Sequence, residues 1–117
     1  MATFQKVLLS GSSNGRGIKV AATSSSGTTI HTATSASGAI DEVWIYAMNT
    51  DSSTRKLTLE WGGTTSPDDL IEITLDSEPG LTLIVPGLPL DGGAVVRAFA
   101  ATADVVTIHG YVNRVTP

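Results

Sequence analysis

The stretch Glu42-Val43-Trp44-Ile45-Tyr46-Ala47-Met48-Asn49 decides the fold, because its side chains sort into two sets with a period of two. Along an extended chain successive side chains point to opposite faces, so Val43, Ile45 and Ala47 share one face and Trp44, Tyr46 and Met48 the other. β-Branched and aromatic residues at this density suit a pleated strand. Neither face is polar, so both require cover. One side fits the interior of a sandwich. The other must lie under a loop of the same chain or against a neighbouring subunit, where aromatic residues and Met are enriched. Trp44, Tyr46 and Met48 are therefore the candidate subunit interface.

Working outward, the same beat predicts further strands over 4–10, 18–22, 28–34, 55–61, 70–75, 81–85, 94–100 and 105–113. Turn chemistry separates them: Asn14-Gly15, Gly62-Gly63 and Gly92-Gly93 accept positive φ, and Pro67-Asp68-Asp69 reads as a turn. Pro79-Gly80 and Pro86-Gly87 bracket 81–85 as a closely bounded strand. In 55–61, Leu57, Leu59 and Trp61 face inward while Thr58 and Glu60 form a wet face; Ile71, Ile73 and Leu75 alternate with Glu72 and Thr74 in the same way. Eight to nine short strands exceed one flat sheet, so the fold class is all-β, an antiparallel β-sandwich with a jelly-roll-like arrangement.

The composition agrees. The 117 residues include 16 Thr, 12 Ser and 12 Gly, with 41% hydrophobic and only 15% charged residues, a balance that disfavours helix. This size fits a single domain over 1–117. Its N-terminal residues are expected to form a flexible arm. The segment 21–39 is rich in Ser, Thr, Ala and Gly, with Ile30 and Ile40 as its strong anchors, and is expected to be weakly held.

Seven Lys and Arg residues against eleven acids, a net charge of -4, provide no clustered cations for a nucleic-acid backbone. No apolar run approaches the ~20 residues of a membrane helix. The run Val7 to Leu9 is shorter than a secretory core of roughly 7 to 15 residues. With no cysteine, stability must come from core burial, to which burial against copies of the chain would be a natural supplement.

No residue pattern assigns a catalytic, cofactor-binding or metal-ligating role, and the chain is expected not to be an enzyme. His31 and His109 sit within strand patterns without a zinc-ligand spacing. Gly11-Ser12-Ser13-Asn14-Gly15 departs from the register of a nucleophile elbow and reads as a hairpin loop. Asp41-Glu42 reads as a polar strand entry and Asp68-Asp69 as a solvated turn, since neighbours on one chain do not report the facing geometry of a glycosidase pair. Trp61, beside Gly62-Gly63-Thr64-Thr65, and Tyr111, near Asn113, are weak candidate ligand contacts for a sugar; the phase of Trp61 continues the Leu57, Leu59 stripe into the core.

The residues Leu59-Glu-Trp-Gly-Gly-Thr-Thr-Ser-Pro-Asp-Asp69, Val85-Pro-Gly-Leu88, Val96-Arg-Ala-Phe-Ala-Ala-Thr-Ala103 and Ile108-His-Gly-Tyr-Val-Asn-Arg114 resemble a group of small virion structural proteins of tailed bacteriophages. The likeness runs from about Phe4 to Arg114 and lies in fold and turn signatures. It implies a β-sandwich on the capsid exterior, a decoration or cement protein that stabilises the shell. Its partners would be copies of itself, commonly as a homotrimer, and the major capsid protein or other virion proteins, after synthesis in the host cytoplasm. The alternative is a tail or head-fibre component acting as a host-glycan-binding module. The resemblance carries no functional residue onto this chain.

Overall fold

The computed structural model describes residues 2–117, and they form nine strands and no helix. These are β1 (Thr3–Leu8), β2 (Ile18–Lys19), β3 (Thr28–Thr32), β4 (Ile40–Asn49), β5 (Arg55–Trp61), β6 (Leu70–Leu75), β7 (Thr82–Leu90), β8 (Val95–Ala100) and β9 (Val106–Thr116). One sheet has the order β1-β9-β4-β7, with β2 also paired to β9; the other has the order β3-β8-β5-β6, and every pairing is antiparallel. Because β1 meets Tyr111 to Thr116 and β2 meets Thr107 and Ile108, the two share one edge of β9 end to end. From β2 onward every link except the β5–β6 hairpin changes sheet. The orders β2-β9-β4-β7 and β3-β8-β5-β6 are those of a jelly roll.

Residues in phase on each strand fill the space between the sheets. Val43, Ile45 and Ala47 of β4 are fully buried, as are Leu57 and Leu59 of β5, Val96 and Ala98 of β8, and Ile108 and Val112 of β9. The inward face of β4 reads Asp41, Val43, Ile45, Ala47, Asn49, all buried, so three apolar residues are closed at each end by a polar one. Asn49 closes its end by donating from Nδ2 to the carbonyls of Ser53 and Asp76 at 2.9 and 3.1 Å and accepting the Asp51 N–H at Oδ1. Asp41, expected as a polar entry to the strand, is inside the sandwich.

Further expectations are corrected. Strand β7 does not stop at Pro86-Gly87 but continues through Pro89 to Leu90, with two register shifts against β4. It is an edge strand paired only to β4, so a proline that lacks an N–H costs the ladder nothing on the open side. The outward face of β5 is not wet throughout: Thr58 and Glu60 are buried, because residues 23–27 fold over them. Gly27 N–H donates to Glu60 Oε1 at 2.7 Å and Ser25 Oγ–H to Oε2 at 2.5 Å. Ile40 is 41% exposed and anchors nothing, whereas Ile30 is fully buried. The segment 21–39 is held instead by Ile30, His31, Ala33 and Ala39, all buried, and by polar ties to Glu60 and Asp41. At the other end of the chain, the residues expected as an arm form β1, hydrogen-bonded along its length to β9; Met1 lies outside the described residues.

Candidate interaction face

The outward face of the β1-β9-β4-β7 sheet is built from cross-strand rows. In antiparallel pairs directly opposed residues point the same way. Phe4, Val115 and Ile40 form one row; Lys6, Asn113 and Glu42 the next; then Leu8, Tyr111, Trp44 and Pro86; then His109, Tyr46 and Leu83; and finally Lys19, Thr107 and Met48. Phe4 is 76% exposed, Leu8 51% and Leu83 46%, while Trp44, Tyr46 and Met48 are half-buried. The Trp44 and Tyr111 rings stack with centroids 6.1 Å apart and planes 10° off parallel. Gly87 of β7 makes room for the indole: a Cβ there would meet Trp44 ring atoms at 2.9 Å, and its φ of +79° suits glycine. At one corner the turn through Gly15 and Gly17 closes on Leu8 and on the His109 ring.

The two formal charges in the middle of this face are each fixed by its aromatics. Lys6 Nζ lies 4.6 Å from the centre of the Tyr111 ring, a cation–π contact. Glu42 Oε1 accepts from Trp44 Nε1 at 2.8 Å and Asn113 Nδ2 at 3.2 Å. Those hydrogen bonds, Trp44 first and then Asn113, hold the Glu42 carboxyl below its ordinary value, so it is an anion at neutral pH.

Of the residues read from sequence, Trp44, Tyr46 and Met48 therefore share one face, and the fold brings Tyr111 directly beside Trp44. Trp61 is apart from them, in the other sheet, half-buried against the core as its phase predicts. Sequence reasoning missed Phe4, Leu8, Ile40 and Leu83, whose role depends on which strands become neighbours. It also missed a polar knot at one end of the sandwich. There the fully buried Asp41 accepts from Arg114 at 2.7 and 3.0 Å, from His31 Nε2–H at 2.8 Å and from the Thr34 N–H at 3.0 Å. Burial would raise the Asp41 carboxyl, but Arg114, His31 and the Thr34 N–H outweigh it and hold it below its ordinary value; the same contact raises Arg114.

By residue type Ser10, His31 and Asp41 match a hydrolase triad. Their geometry does not. His31 Nδ1 accepts the main-chain N–H of Ser10 at 3.0 Å, and Ser10 Oγ accepts the Thr32 N–H at 2.7 Å. No imidazole lone pair faces the serine hydroxyl, so the three residues tie strands together. The signal that could have found Asp41 is the phase of its strand, which places it in line with Val43 and Ile45.

The molecule thus defines a jelly-roll sandwich with one aromatic-rich sheet face exposed to contact. Comparison with protein-family models, with curated proteins and with solved structures finds no match.

Proposed function

We propose that this chain is a structural protein of a bacteriophage virion, a capsid decoration protein that binds the outer shell, associates with itself and performs no catalysis. The observation that carries this reading is the outward face of the β1-β9-β4-β7 sheet, where exposed Phe4, Leu8, Ile40 and Leu83 surround the Trp44–Tyr111 pair. Exposed apolar side chains gathered on one face, here crossed by the single polar row Lys6, Asn113 and Glu42, mark an interaction surface. The resemblance of residues 59–69, 85–88, 96–103 and 108–114 to small virion proteins supplies the biological setting. Repetitive assembly suits such a domain, since a weak contact is multiplied over many copies. Subunits that bridge neighbouring shell proteins add contacts that rupture of the shell must also break. The exposed residues Thr23 to Ser26, on the opposite sheet, are left free for the shell. The glycan-binding alternative draws less support: Trp61 is half-buried, and the Lys6 ammonium occupies the Tyr111 ring on which a sugar would stack.

Electron microscopy of the intact particle tests the reading. The expected result is this jelly roll repeated over the outside of the shell. Density for it confined to the tail or fibres, or missing from particles that contain the protein's own shell, would overturn it.

A further inference from the structure

We infer that the outward face of the β1-β9-β4-β7 sheet packs against the same face of a second copy about a two-fold axis parallel to β9, so that Lys6 of each copy meets Glu42 of the other. This deepens the self-association in the reading above and rests on it. Lys6, Asn113 and Glu42 lie in one row, with β9 between β1 and β4. The backbones of Lys6 and Glu42 are therefore about 10 Å apart, two strand spacings, on either side of the central strand. A two-fold along β9 through Asn113 exchanges the two sides, which sets each charge opposite its counter-charge. The same operation sets Phe4 opposite Ile40 and Leu8 opposite Trp44, apolar on apolar. A two-fold running across the strands at that row would instead oppose Lys6 to Lys6 and Glu42 to Glu42. Lys6 and Glu42 thus select one axis; Lys19, at the far end of the face, meets Met48 under it. Sheets stacked face to face keep their strands within about 30° of each other, which this axis preserves.

The rows from Val115 to Thr107 span about 27 Å and the four strands about 19 Å, a flat footprint on the order of 500 Å². That is below the roughly 800 Å² per partner of a standard interface, so the dimer forms reversibly with concentration. A self-complementary patch pairs two copies and cannot close a ring of three. Threefold order in an assembly would need a second surface.

The test is sedimentation equilibrium of the full chain over a concentration series. Lys6→Glu and Glu42→Lys alone should each weaken the dimer about tenfold, because symmetry places the change in two contacts. An equimolar mixture of the two variants should restore association, since each altered charge then faces its opposite. No role of Lys6 or Glu42 within one chain produces that rescue. If Glu42→Lys unfolds, Glu42→Gln, which keeps an acceptor for Trp44 and Asn113, should still weaken the dimer and reduce its sensitivity to salt. A monomeric wild type throughout the series, a mixture no stronger than the single variants, or an unchanged Glu42→Gln dimer would overturn the inference. Monomeric copies seated on the shell would sink the dimer and spare the decoration reading; a dimer with no shell to bind would do the reverse.

Discussion

Two buried carboxylates carry structural roles that a hydrophobic pattern does not register. Asp41 satisfies His31, Arg114 and the Thr34 N–H at once, so removing it leaves several buried donors unpaired. Asp41→Ala should cost about 2 to 3 kcal/mol in urea unfolding at neutral pH, below the upper range for a buried pair because the Arg114 side chain is 27% exposed. The pH dependence follows from the lowered carboxyl. Its folded value lies below the ordinary 3.8, so its contribution is complete above that value and is lost as pH falls through the folded value. Wild type should therefore lose stability more steeply than Asp41→Ala on acidification below about pH 4, measured by thermal melts at stepped pH. Glu60 makes the second tie. Its two oxygens accept from Gly27 and Ser25, and Glu60→Ala would leave both of these donors without their partner. The expected loss is about 1 to 2 kcal/mol, with faster proteolytic cleavage within residues 23–27. Equal cleavage rates would mean that Glu60 does not hold this loop.

Among the elements, β4 and β9 form the spine of one sheet and lie side by side, with one position on β9 that admits only glycine. Gly110 lies opposite Ile45 with φ at +153°, and a Cβ there would run into the Trp44 carbonyl oxygen. Gly110→Ala should cost more than about 4 kcal/mol or prevent folding, while Gly80→Ala, at φ +78° with open space around it, should cost about 1 to 2 kcal/mol. Comparing the two by denaturant unfolding separates close approach from backbone conformation alone. The strands themselves were legible in the sequence because alternation and turn residues are local signals. Edge position was not. Pro86 reads as a strand end until β7 is seen to pair on one side only. Thr58 and Glu60 read as wet until a loop remote in sequence is seen to cover them. Trp44, Tyr46 and Met48 were found together because one strand carries them, whereas Phe4, Leu8 and Leu83 join them from strands far apart in the chain.

At the scale of the whole molecule, one sheet face retains the apolar surface that the sandwich does not bury. Trp44→Ala should weaken self-association about tenfold, as loss of a central aromatic anchor does, and lower stability by about 2 kcal/mol given its half-burial. Light scattering over a concentration series and thermal melts check the two effects separately; a folded variant with wild-type mass would remove Trp44 from the contact. The sequence by itself determined the all-β class, nearly all strand positions and the two-faced character of residues 42–49, since these follow from a period of two and from turns a few residues long. Only the tertiary structure decided the jelly-roll order, the polar closures at Asp41, Asn49 and Glu60, and the assembly of one face from β1, β4, β7 and β9. Those depend on which strands become neighbours, and strand pairing joins residues as remote as Phe4 and Val115, which no local pattern encodes.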